Sequence, residues 1–92
     1  MAEVTMKLDK KRRFRLNLIT LGLFEETTGI KLKPEISSLP YHAVVLLWGG
    51  LVQDDPALTI KEAKKLLISH YREVVKGLKK AFRLFKKERG IK

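Results

Sequence analysis

The stretch DDPALTIKEAKKLLISHYREVV, residues 54–75, decides how this chain folds, and it admits two readings. In one, TIKEAKKLLISHYREVVKGL is a helix-turn-helix whose second helix suits a DNA groove. In the other, a short capped helix leads into a long basic one. Thr59 and Glu62 form a T-x-x-E capping box, each side chain reaching the other's free backbone N–H, so a helix starts here either way. The turn separates the two readings. It usually takes a glycine for its backbone angle, and Leu67 stands where one is wanted. The face offered to bases would be His70, Tyr71, Glu73 and Lys76, with no Asn, Gln or Ser beside an Arg. Ala63 is small enough to let two helices touch, and Val74 and Leu78 fall at core positions, which keeps a DNA-binding segment at 59–79 as the alternative. The capped-helix reading predicts helices over 59–68 and 70–89.

Working back from this stretch, Asp54-Asp55-Pro56 ends a preceding helix. Ser38 is a suitable N-cap and Pro40 lies near the first turn, which predicts a helix over 38–53 containing YHAVVLLWGGLVQ. That helix is apolar on nearly all sides, so it is either the central packed element or part of a surface that meets a partner. Gly49 and Gly50 weaken it by roughly 1 kcal/mol each relative to Ala, and point to close helix approach or an early helix end. Residues 30–37 contain Pro34, lack helical period and read as a connector. Before them, Asn17 caps a helix over 17–28, with Leu18, Leu21, Phe24 and Leu23 at helical spacing and Gly29 as its stop.

Residues 3–16 alternate as strands do. Val4, Met6 and Leu8 share one face, and Phe14 and Leu16 share another after Asp9-Lys10-Lys11. A short hairpin is one reading; a basic arm is the other, since no Asn-Gly or Asp-Gly pins the turn. The expected fold is mostly α: a small four-helix domain spanning residues 1–92, with a short N-terminal β-hairpin.

Composition narrows the chemistry. Ninety-two residues make one domain with a modest core, and 45% hydrophobic residues is ordinary for a globular chain. With no cysteine there is no disulfide, thiolate metal site or cysteine nucleophile. The longest apolar run, Ala43 to Trp48, is far below the roughly 18 residues that span a bilayer, and MAEVTMKLDKKRRFRLN lacks a secretion signal. A cytoplasmic protein is expected, with no membrane partner. His42 and His70 stand apart from any acid or metal-ligand pattern. Glu25 and Glu26 point about 100° apart on a helix and do not face one another. No phosphate-cradling loop or nucleophile elbow is present, so no enzyme, catalytic residue, metal or cofactor is expected.

Charge is the strongest global feature. The net charge is +10, and residues 61–92 hold twelve Lys/Arg against three Asp/Glu, while residues 34–60 hold none against three. In the last helix Tyr71, Val74, Val75, Leu78, Ala81, Phe82 and Phe85 form an apolar stripe. Arg72, Lys76, Lys79, Lys80, Arg83, Lys86 and Lys87 occupy much of the rest. This basic face reads as a solvated surface, as a nucleic-acid contact through phosphate neutralisation, or as a lipid-surface helix. The last requires an apolar stripe that the core also needs.

Three motifs in order carry a family resemblance. They are the aromatic-Glu-Glu-x-x-Gly end of the first helix, Phe24 to Gly29; the Leu-Leu-Trp-x-Gly-Leu segment, Leu46 to Leu51; and the Asp-Pro-x-Leu-Thr turn, Asp55 to Thr59, followed by an amphipathic helix. Over roughly residues 12–75 the chain resembles the tail assembly chaperones of long-tailed bacteriophages and related prophage and gene-transfer-agent proteins. The resemblance implies a small, mostly helical, non-enzymatic protein that coats the tape measure protein, keeps it soluble and helps recruit the tail tube protein. It further implies action in the host cytoplasm, absence from the mature virion, and for many members a longer frameshifted form. The basic C-terminal third departs from that family's pattern and leaves room for an acidic partner or nucleic acid. Leu47, Trp48 and Leu51 are the candidate partner-binding residues, a tryptophan combining large contact area with an N–H donor; the alternative puts Trp48 at the centre of the core. An oligomer is compatible with the sequence, which sets no stoichiometry.

Overall fold

Alternation along the first sixteen residues is strand alternation. The computed structural model describes residues 2–30 and 40–88. In it β1 (Ala2–Lys7) and β2 (Lys11–Leu16) pair antiparallel, with Ala2 opposite Leu16, Val4 opposite Phe14 and Met6 opposite Arg12. Because side chains alternate in direction, this register puts Ala2, Val4, Met6, Phe14 and Leu16 on one face, and all are buried. The basic-arm reading is thereby replaced by a hairpin that carries a share of the core.

Among the described residues four helices follow: α1 (Leu18–Thr28), α2 (Pro40–Leu51), α3 (Ile60–Ser69) and α4 (Tyr71–Glu88). The chain is mostly helical with a small two-stranded sheet, as expected. Helix starts obey local chemistry. The Asn17 side chain accepts the backbone N–H groups of Ile19 and Thr20, while Thr20 returns a contact to the Asn17 N–H. Thr59 and Glu62 make the expected reciprocal box. Gly29 ends α1 at φ 77°, the left-handed conformation a glycine adopts without a Cβ penalty. The expected Ser38 cap, the 31–37 part of the connector and residue 89 lie outside the described residues.

α2 is the hub. It packs against α1, α3 and β2, while α4 lies across β1 and, less extensively, β2. The hairpin is therefore a shared floor: one edge supports α2 and the other α4. Both close approaches are set by glycine. A Cβ at Gly50 would lie 2.2 Å from the Phe14 ring, and one at Gly77 would lie 2.5 Å from Cε of Met6. Gly49 meets α1 at Thr20 and Leu23. The paired glycines thus serve close approach, and α2 closes at Leu51, two residues before the expected end.

Two expected stripe residues are not in the core. Leu18, expected to seal α1, is exposed, and the buried positions of that helix are Thr20 and Phe24. Thr20 takes the inward position because its hydroxyl donates to the Arg15 carbonyl and accepts 2.7 Å from Nε2 of Gln53. A buried polar side chain is tolerated when its hydrogen bonds are made. Tyr71 is also exposed; burial in α4 falls on Val74, Gly77, Leu78 and Ala81, with Phe82, Leu84 and Phe85 packed at the edge of the core.

Candidate functional site

The joint between α3 and α4 settles what the opening stretch is physically. α3 ends at Ser69 and α4 begins at Tyr71, leaving His70 alone between them. Its backbone N–H closes α3 on the Leu66 carbonyl at 2.9 Å. A helix-turn-helix uses a turn of three to four residues and packs its two helices on each other. Here the turn is reduced to His70, and α3 lies mainly on α2 while α4 lies mainly on the hairpin. Two terms of the stretch that sequence reasoning left as turn residues have partners far away. Asp55 Oδ2 accepts from Nη1 of Arg12, and Asp54 Oδ1 from Nη2 of Arg15, both at 3.0 Å.

Arg12 repays a closer look. It shares strand parity with Phe14 and Leu16, so it faces inward, and its side chain is only 10% exposed. Nε and Nη2 donate to the two carboxylate oxygens of Asp9 at 2.7 and 2.8 Å, and Nη1 reaches Asp55. These bonds hold the Asp9 carboxyl at about 2, below its ordinary 3.8, and raise the guanidinium further above its usual range. Arg15 adds Glu3 across the hairpin at 3.2 Å. The two arginines thus tie β2 to the turn after α2. The signal was present: a cation at an inward strand position needs a carboxylate, and Asp54-Asp55 stand in the stretch that holds no Lys or Arg.

Two of the three apolar partner-binding candidates are inside the molecule. Leu47 and Leu51 are fully buried, so neither offers surface to a partner in this fold. The reason is α2's hub position, which covers it from several directions. Trp48 is half-buried; its indole N–H donates to the Leu58 carbonyl at 3.0 Å and so holds the chain leading into α3. Apolar surface lies elsewhere. Leu18 and Ile19 open α1 at 70% and 60% exposure, and Ile68 and Tyr71 flank the α3–α4 joint at 69% and 62%. Sequence reasoning missed Leu18 although the helix wheel marks it. Leu18, Gly22 and Glu25 fall at i, i+4 and i+7, and a glutamate at that spacing belongs to the solvent side.

The basic candidates stand out as a group. Arg72, Lys76, Lys79, Lys80, Arg83, Lys86 and Lys87 are all exposed. At 100° per residue they fall within about 120° of the helix circumference, opposite Val74 and Ala81, over a length of roughly 22 Å. Glu73 and Glu88 lie outside that arc. Among the described residues none of the seven is engaged in an ion pair. This contrasts with Arg12 and Arg15 on the hairpin, whose charges are matched by four carboxylates.

Among the described residues no group of three or more His, Asp or Glu side chains is placed to hold a metal ion. His42 meets the Phe24 ring edge-on, centroids 5.8 Å apart, with Nδ1 buried and without a hydrogen-bond partner. No described helix is long and apolar enough to cross a membrane. Set against protein-family models, curated proteins and solved structures, the chain matches none of them.

Proposed function

We propose that this chain is a non-enzymatic assembly chaperone of the phage-tail type, holding a helical tape measure protein by surface contact. The observation that carries the reading is how the three resembling motifs are used together. Phe24 is fully buried and Gly29 closes α1; Leu46 to Leu51 form the hub; Asp55 to Thr59 make the clamped and capped joint into α3. Each motif thus holds a packing or connecting position of the fold, which is compatible with a resemblance carried by order and spacing.

A client must then meet what the fold leaves open. A chaperone for apolar helices has to present apolar surface without exposing a patch large enough to aggregate. Leu18 and Ile19, adjacent at the start of α1, meet that condition better than the buried Leu47 and Leu51. A net charge of +10 keeps such a complex dispersed.

Co-expression of the protein with a tape measure fragment tests the reading. The fragment should appear in the soluble fraction and co-purify, and Leu18→Asp with Ile19→Asp should abolish this while leaving the circular dichroism spectrum and melt unchanged. Surface substitutions of this kind usually move stability by within about 0.5 kcal/mol. A fragment that stays insoluble with and without the protein would sink the proposal.

A further inference from the structure

We propose that the outward face of α4 binds the phosphodiester backbone of a nucleic acid without reading its sequence. This goes beyond the chaperone reading and stands or falls separately from it. Seven unpaired cations between Arg72 and Lys87 follow one face for roughly 22 Å, with no carboxylate inside the arc. Like charges this close repel one another, so the face is an electrostatic cost in the free protein that an anionic partner relieves.

Three features choose the partner. A lipid surface needs the helix to present apolar residues beside its cations. Most of the apolar side of α4 is committed inward: Val74 and Ala81 are fully buried and Leu78 nearly so, and its exposed large apolar residue is Tyr71 at the very start of the helix. A protein interface is depleted in lysine at its centre and anchored by buried aromatic residues. The α4 face holds five lysines, two arginines and no aromatic anchor. A nucleic acid carries one negative charge per about 1.7 Å of duplex axis, and lysines suffice to neutralise it. Asn and Gln, which pair with adenine, are missing from the face, and its two arginines, the residues that pair with guanine, stand eleven positions apart among five lysines, so phosphate contacts dominate and the binding is sequence-independent.

The measurement is fluorescence anisotropy of the full chain with labelled duplex DNA, duplex RNA and single-stranded DNA of unrelated sequences. Binding should be strongest at low salt, indifferent to sequence, and fall with a log–log salt slope of about −3.6 to −4.5 for duplex DNA, or about −2.8 to −3.5 for a single strand, if four to five phosphates are neutralised at once. The arm with the tightest binding identifies the nucleic acid. Lys79→Glu with Arg83→Glu should lower affinity by roughly tenfold or more at 50 mM salt. Lys7→Glu with Arg13→Glu makes the same change in net charge on the exposed side of the hairpin and should leave affinity nearly unchanged. Circular dichroism melts confirm that both variants fold. Equal losses in the two variants would reduce the effect to net charge and overturn the proposal. Absence of binding at 50 mM salt would overturn it as well, and so would equally tight binding of poly-L-glutamate.

Discussion

Arg12 and Asp9 show how one charge pair can make a hairpin turn sensitive to acid. The Asp9 carboxyl sits at about 2 in the folded chain against an ordinary 3.8, because Arg12 hydrogen-bonds both its oxygens. A depressed folded value means the pair stabilises the fold above pH 3.8 and loses that contribution as pH falls through 2. Asp9 is nearly half exposed, so screening keeps the contribution small. Urea midpoints measured at pH 5, 3.5 and 2 should therefore decline less steeply for Asp9→Asn than for the parent chain; parallel declines would remove Asp9 from the acid response. At this scale the sequence was legible where partners are near. Asn17 with Thr20, Thr59 with Glu62 and Gly29 are all settled within three or four residues. The Arg12–Asp55 and Arg15–Asp54 pairs join residues 43 and 39 positions apart, and no local pattern orients them.

Elements were legible in proportion to the contrast between their faces. α4 sets apolar residues against seven cations, and periodicity placed Val74, Leu78 and Ala81 on its buried side while wrongly adding Tyr71 and leaving out Gly77. α1 offers no such contrast, with apolar residues around most of its circumference, and Leu18 was drawn inward while Thr20 in fact holds the buried position through its bonds to Arg15 and Gln53. Glycines give the sharpest test of how elements fit. Gly22 stands in the exposed side of α1 with nothing within 4 Å of an added Cβ. Gly22→Ala should stabilise by about 0.5–1 kcal/mol, raising the melting temperature by about 2–8 °C. Gly50→Ala gains the same helix propensity but drives a methyl to 2.2 Å from the fully buried Phe14 ring. Overpacking of that kind costs about 1–3 kcal/mol, so the sign reverses and the melting temperature should fall. Two alanines of equal propensity and opposite effect would establish that α2 and β2 are in direct contact there.

The whole molecule is organised around a hairpin that amphipathic patterns could not place. Each stripe announces that a helix needs cover, but the pattern does not name the element that supplies it. α4 could have closed on α3, as a helix-turn-helix would require, and closes on β1 instead. Among the described residues the first strand and the last helix thus pack on each other. A fragment comprising residues 1–70 keeps three of the described helices and the hairpin but loses the element that packs on β1 at Met6. It should show no cooperative thermal transition and should bind a dye for exposed apolar surface, whereas a fragment that melted sharply would mean that α4 is an appendage. The candidate surfaces follow the same logic. Leu47 and Leu51 were attractive because they are apolar, and the fold uses them for that reason in its core. The basic face of α4 was legible because charge stays outside.

The contact between β1 and α4 also has a temporal side. Tyr71 comes 64 positions after Lys7, so during synthesis the first strand waits for its cover. At 5–20 residues per second the delay is roughly 3–13 s. Over that interval Met6, on the inward face of β1, is without the helix that packs on it in the folded chain.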